Sequence, residues 1–452
     1  MKKTFAALFF ALLAAISSNT AALHCNSAEE AMIGDINGDA LVDGRDATAL
    51  LTAYASESAG KTDTLSAEQR RVADVNRDDI ADGRDATVIL TYYAKQSAGE
   101  DILFETYLES INTDIVSSMP LHDKVCQMFI VRPEELTNGA EYYSASEKLK
   151  DSLKEYPVGG LILFTNNMRS QEQVTEFISG VKEYSSEIGC VPLFFGVDEE
   201  GGSVSRCAEA LGTASFEPMF NYRYMGTDKA RSNARTIAED IGKLGFDLDF
   251  APVADTWSNK YNTVIGRRAY SDDFKETANL VESAVKGFID GGIHCTLKHF
   301  PGHGDTIEDS HYGFAVSHRS AEQLRNNEFL AFDKGIKAGA DIVMVGHITV
   351  PAIDDHPASM SEKLIQGELR GTLGFDGVIM TDALGMGAIA NAYSSSVCSV
   401  MAVEAGNDIL LSPKDLREAV DGIEAAVSNG MISEERINES VRRILKVKGL
   451  LE

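Results

Sequence analysis

From residue 101 onward, short apolar runs alternate with longer stretches whose apolar residues recur at helical spacing. Eight apolar runs read as strands: 126–131, 160–164, 193–197, 246–253, 295–299, 342–346, 378–381 and 408–411. Helix-spaced segments fall between them, among them 172–187, 229–244, 274–291, 321–338 and 361–371. Strands separated by helices predict a parallel sheet. Eight of them predict an α/β fold closed into a (β/α)8 TIM-type barrel over residues 103–452. An open doubly wound sheet is the alternative, weakened because no glycine-rich dinucleotide loop follows the first strand. Polar residues stand directly at the ends of several runs: Asp198-Glu199-Glu200, Asp255, Lys298-His299, His347 and Asp382. In a barrel the C-terminal strand ends meet on one face, so these distant residues are expected to share a pocket.

Ahead of this alternation lies an internal repeat, 39 residues apart, in which each copy leads into an apolar helix-like run (49–54 and 88–93). Oxygen-bearing side chains occupy positions 1, 3, 5, 9 and 12 of each loop. They are Asp35, Asn37, Asp39, Asp43 and Asp46 in the first, and Asp74, Asn76, Asp78, Asp82 and Asp85 in the second. Calcium takes six to eight oxygens, and this spacing wraps one ion when the position-7 carbonyls, here of Leu41 and Ile80, are added. A small all-α calcium-binding domain is therefore expected over 33–99. It is not an ordinary EF-hand, because position 12 is Asp and no helix enters the loop. Position 6, usually Gly, is Ala40 and Asp79. Acidic turns without metal are the plainer reading, but such turns are not ordinarily doubled in register.

The chain opens with Lys2 and Lys3, an apolar stretch over 5–16, and the small residues Ser17, Ser18, Ala21 and Ala22. That pattern predicts a signal peptide over residues 1–22 and a secreted, extracellular protein. No later apolar run is long enough for a membrane span. The formal net charge of -28 disfavours nucleic acid and anionic membranes as partners. It fits neutral substrates, or cations held at carboxylate clusters. The six cysteines show no CxxC or dense framework and leave the redox compartment open.

Two resemblances sharpen these expectations. The doubled loop is similar to the dockerin family, which implies Ca2+ in the loops and a cohesin module of a scaffolding protein as partner. Gly44-Arg45 and Gly83-Arg84 would occupy the contact positions. The string from Lys298 through His299-Phe300-Pro301-Gly302-His303-Gly304-Asp305-Thr306 to Asp309-Ser310-His311, with 197–202 and 379–384, resembles glycoside hydrolase family 3. More narrowly, it looks like that family's β-N-acetylglucosaminidase branch. The resemblance implies an exo-acting, retaining hydrolase of terminal β-linked N-acetylglucosamine, with no cofactor for catalysis. Asp382 would be the nucleophile, His311 the general acid/base, and Asp309 its partner. Asp198, Arg206, Arg268, Lys298 and His299 would bind the hydroxyls of the first sugar. Retention requires a nucleophile and a proton donor on opposite faces of the anomeric carbon, and a histidine can donate and then take back one proton near neutrality.

Other readings stand beside these. His299, His303, Asp305, Asp309 and His311 could ligate a metal, although Pro301 and two glycines break any helix presenting them. His303 and Asp305 read as braces of the loop. Asp255 reads equally as a strand-end acceptor and as a substrate contact, and His347 reads as a satisfied wall residue at least as readily as a substrate ligand. Trp257 is either packing or a sugar platform. At the level of function the rivals are a β-glucosidase or β-xylosidase, a phosphorylase on the same barrel, and a non-catalytic carbohydrate-binding protein.

Overall fold

The computed structural model describes residues 32–58, 61, 64–75, 81–100, 102–111, 115–139, 142–307 and 315–451. The signal segment 1–22 lies outside them. The chain divides into two compact units, residues 1–115 and 116–452.

In the first unit the described regular elements are the helices Gly44–Ser58, Ala67–Ala73, Gly83–Ser97 and Phe104–Ile111. The repeat is visible in the packing. Ile36, Ala47, Leu50 and Ala53 fill one half of the core; Val75, Ala86, Ile89 and Tyr92, their counterparts 39 residues on, fill the other. Asp46 is fully buried and accepts from the backbone N–H groups of Ile36, Asn37 and Asp43 at 2.9–3.1 Å. Its counterpart Asp85 accepts from Val75 and Asp82 at 3.0 and 2.9 Å. Asn76, Asp78 and Ile80 fall outside the described residues. Phe104, Tyr107 and Leu108, which the hydrophobic pattern groups with the barrel segment beginning at residue 103, bury into this first core.

The second unit is an α/β barrel. Its strands are β1 (Phe129–Val131), β2 (Gly160–Ile162), β3 (Phe194–Val197), β4 (Leu248–Asp249), β5 (His294–Phe300), β6 (Ile342–Val345), β7 (Val378–Thr381) and β8 (Leu410–Leu411). All pairings are parallel, in the order β7-β6-β5-β4-β3-β2-β1-β8. A parallel bridge between Met380 and Ile409 brings the two ends of that order together.

The strands are shorter than the apolar runs that predict them. Run 126–131 contains the end of the helix Leu121–Gln127 as well as β1. A buried helix end and a buried strand are both apolar, so periodicity cannot divide them. Run 246–253 keeps a ladder only at Leu248–Asp249, because Pro252 has no N–H to give; the pairing resumes at Val253 with Lys298. Segment 321–338 splits at Asn327 into Ala321–Asn326 and Phe329–Lys337.

Candidate active site

A cavity of about 300 Å3 opens at the C-terminal strand ends. Of the strand-end residues expected to share a pocket, Glu199, Asp255 and His347 are not among those lining it, whereas Asp198, Arg206, Arg268, Lys298, His299 and Asp382, the described residues to which the resemblance gives a catalytic or sugar-binding role, all line it. So do Glu200 and His303. Its apolar wall includes Ile162, Phe164, Phe250 and Met386. The Phe250 ring occupies the space beside Gly196, where any side chain on β3 would displace it.

A chain of alternating charges forms the polar wall. Lys298 ends in the cavity with its Nζ 2.7 Å from Asp198 Oδ1 and 2.6 Å from Glu200 Oε1. Glu200 in turn accepts a two-pronged bond from Arg268, Nε to Oε2 at 2.8 Å and Nη2 to Oε1 at 2.7 Å. Burial alone would neutralise each group, but the opposite charges outweigh it: Glu200 is held well below the usual carboxylate range, and Lys298 and Arg268 above theirs. After β3 the chain turns into a hairpin, Glu199–Gly201 against Val204–Ser205. Alternation along this extended stretch sends Asp198 and Glu200 to one side and Glu199 to the other. Glu199 accepts from the backbone N–H of Cys207 and Ala208 at 2.6 and 3.1 Å, anchoring the short helix Arg206–Leu211 that begins with Arg206. Arg206 has no ion-pair partner among the described residues, and its Nε is buried and unbonded.

Asp382 follows β7. Its N–H donates to Val345 O at 2.9 Å, and its Oδ1 accepts from Ala383 N at 2.8 Å. Burial pushes its carboxyl upward, yet His299, His347, the Ala383 N–H and Lys298 together hold it below its ordinary value. An ionised carboxylate, a facing row of cations and a polar wall in one cavity are the equipment for nucleophilic attack at a sugar carbon.

Residues 120–447 match the glycosyl hydrolase family 3 N-terminal domain. The chain belongs to glycosyl hydrolase family 3. Residues 33–92 match the dockerin type I domain. A β-hexosaminidase of Xylella fastidiosa (strain 9a5c) is 34% identical over 288 residues, 62% of this chain and 84% of that protein. One from Stenotrophomonas maltophilia (strain K279a) is 32% identical over 325 residues, 66% of this chain and 95% of that protein. Among solved structures, a glycoside hydrolase family 3 β-N-acetylglucosaminidase from Paenibacillus sp. str. FPU-7 superimposes with a TM-score of 0.70 at 36% identity. It covers 74% of this chain, which spans 63% of that one. A β-N-acetylhexosaminidase from Beutenbergia cavernae DSM 12333 gives a TM-score of 0.66 at 26% identity, covering 74% of this chain and 99% of its own.

This family 3 chain is thus a glycoside hydrolase, and its barrel also decides several open readings. Asp255 is fully buried and is not a lining residue; it pairs with His299 Nδ1 at 2.7 Å and accepts from His303 N at 2.6 Å. It therefore fixes the ring of His299 from behind. His303 and Asp305 are braces: His303 Nδ1 meets Thr306 Oγ1 at 2.8 Å, and Asp305 pairs with Arg319 at 3.0 Å. The turn they belong to lies so close to the loop after β4 that a Cβ on Gly304 would stand 1.7 Å from Thr256 O. His347 has both ring nitrogens engaged, by Ser359 Oγ at 2.8 Å and Ala383 O at 3.0 Å. Trp257 is not a lining residue; it packs on Val253, Ile265 and Ala269 and donates to Asn262 O. Among the described residues no three metal-binding side chains gather. Asp309 and His311 lie outside the described residues.

Glu200 is the lining residue whose partners sequence reasoning missed. The signal was present, since it stands two places beyond Asp198 in an extended run.

Proposed function

We propose that the chain is a secreted, retaining exo-β-N-acetylglucosaminidase that releases terminal non-reducing N-acetylglucosamine through a covalent glycosyl-enzyme on Asp382. The observation that carries this is the placement of Asp382 in one cavity with Lys298, Asp198, Glu200, Arg268 and Arg206. A carboxylate kept ionised is competent to attack the anomeric carbon. The paired charges opposite offer donors and acceptors for sugar hydroxyls, and Asp255 keeps the His299 ring turned to the same cavity. His311, with Asp309 beside it, protonates the leaving oxygen and then deprotonates the attacking water; this part rests on the motif. The acetamido preference rests on the relatives named β-hexosaminidase and β-N-acetylglucosaminidase.

The first unit tethers the enzyme to a cohesin-bearing scaffold. Its loops hold Ca2+ through Asp35, Asn37, Asp39, Leu41 O, Asp43 and Asp46, and through Asp74, Asn76, Asp78, Ile80 O, Asp82 and Asp85. The donors are all hard oxygens. The Arg45 guanidinium reaches Asp39 Oδ2 at 2.8 Å and Asp43 Oδ2 at 2.7 Å, so these two carboxylates already converge on positive charge. Bound calcium would supply the cross-link that orders each loop.

The test is turnover of aryl β-N-acetylglucosaminide, β-glucoside and β-xyloside by the wild type and Asp382→Asn. Preference for the N-acetylglucosaminide, with kcat lowered at least a thousandfold in the variant, is expected. Preference for the glucoside or xyloside overturns the substrate; an unimpaired variant overturns the nucleophile.

A further inference from the structure

After β5 the chain leaves the barrel on one limb and comes back on another. The outgoing limb, 301–306, is fixed by the loop after β4. Asn259 N donates to Gly304 O at 3.1 Å, Asn259 Nδ2 to Asp305 O at 3.1 Å, and Asn262 Nδ2 to His303 O at 2.7 Å. The returning limb starts at the short strand Ala315–Val316, which pairs in parallel with Ile348–Val350. Ser317 N then donates to Thr349 O at 2.9 Å. Asp309 and His311 stand between these limbs in the sequence.

One guanidinium joins the two limbs. Arg319 Nη2, on the returning limb, lies 3.0 Å from Asp305 Oδ1 on the outgoing one, and its Nε lies 3.1 Å from Glu328 Oε1. Glu328 stands at the N-cap of the helix Phe329–Lys337. Its stem touches the outgoing limb as well, since a Cβ on Gly302 would stand 2.8 Å from Glu328 Cγ. Burial raises the Glu328 carboxyl to about 7 against the pull of Arg319, and Asp305 pushes it the same way as burial, so the three groups act on one another as a set. Exposed ion pairs contribute little, but here the Glu328 side chain is 3% exposed, and those of Arg319 and Asp305 are 24% and 23%. None of the three lines the cavity. Their effect on the chemistry therefore runs through the limbs they tie. Pinning both ends of a loop removes much of its freedom. An acid/base needs that restriction, because it works only within hydrogen-bond reach of the leaving oxygen, and a misplacement of about 1 Å can cost about a hundredfold.

We propose that Asp305, Arg319 and Glu328 are positioning residues for the glycosidase reaction: they tie the two limbs together and so hold the acid/base between them in reach of the leaving oxygen. This rests on the function proposed above, with its acid/base at His311.

The choice of leaving group separates this role from a merely structural one. A dinitrophenyl group departs without a proton, whereas a methylphenyl group needs one, so a misplaced acid shows only with the second. Both aryl glycosides of whichever sugar the wild type prefers are assayed for kcat/KM, with Tm measured alongside. Arg319→Met is expected to lose about a hundredfold on the methylphenyl glycoside, the low end of what general acid catalysis contributes, and about threefold at most on the dinitrophenyl one. His311→Ala should show the same selective loss. Wild-type kcat/KM of Arg319→Met on both substrates overturns the proposal. So does an equal loss on both, which would mean that the whole site is disturbed. Should Arg319→Met fail to fold, Glu328→Gln, which keeps the shape, is read against the same outcomes. If Arg319→Met shows the selective loss and His311→Ala does not, the assignment of His311 fails while the tie stands, acting on another donor. A wild type that hydrolyses no aryl glycoside of any sugar overturns both.

Discussion

Glu200 has a side chain 1% exposed and stands between Arg268 and Lys298. The cavity wall thus balances three carboxylates (Asp198, Glu200, Asp382) against three cations (Arg206, Arg268, Lys298). Removing one partner of a buried set leaves charge without compensation, which costs about 3–5 kcal/mol. Glu200→Gln is accordingly expected to lower the unfolding free energy of the barrel by that amount in urea titration, and to reduce kcat/KM through Arg268 and Lys298. A variant within 1 kcal/mol of wild type would mean that solvent already shields the array. The contrast with Asp198 and Asp382 shows what the sequence can reveal at this scale. Those two were legible because each ends an apolar strand run. Glu200 acts from a hairpin whose turn uses Gly201 and Gly202 at φ +86° and +64°.

Elements carry the second layer of control. The hairpin after β3 and the helix Arg206–Leu211 are joined by Glu199, a buried carboxylate whose neighbour behind is the fully buried Asp249, 3.0 Å from the Glu199 N–H. Burial raises Glu199 to about 7, against the opposing bonds from Cys207 and Ala208. Its folded-state pKa lies above its ordinary 4.5, so between those values the folded chain binds more protons than the unfolded one. Stability then falls as pH rises through that window. The largest loss is about 3 kcal/mol if the whole shift is expressed. Glu328 is raised to about 7 by burial and contributes in the same direction. The effect of Glu199 is therefore read as a difference: the stability of wild type between pH 5 and 8 should fall more steeply than that of Glu199→Gln. Equal slopes would show that Glu199 does not titrate there. Element type was legible wherever a long helix separated two strands, as with Thr227–Lys243 between β3 and β4. Element ends were not, because β4 is cut short by Pro252 and β1 is fused in the apolar pattern to the preceding helix.

At the scale of the whole molecule, the two units have separate hydrophobic cores, Ile36 to Leu108 in one and Val116 to Leu445 in the other. The eightfold barrel was legible because strand and helix alternate with an unambiguous count, and the duplicated loop because its oxygens recur in register. The extent of the first core was less so, since Phe104, Tyr107 and Leu108 follow the last repeat and carry no loop signature. Tyr92 meets Phe104 at 4.8 Å and Tyr107 at 5.5 Å between ring centroids, contacts that only the folded chain brings together. Apolar packing in so small a unit is limited, and Ala40 at φ +64° adds strain where glycine is the rule. If the loops hold Ca2+ as proposed, the unit should therefore lean on that metal. Calcium bound only by the folded form stabilises it by mass action. Differential scanning calorimetry of the whole chain with excess Ca2+ and with chelator should show one transition moved down by chelation and the barrel transition unmoved, while aryl-glycosidase activity below that transition stays the same. If chelation leaves every transition in place, the loops do not hold calcium at a level that matters to folding. If it abolishes activity at temperatures where the barrel is intact, the metal serves the active site and not the tether.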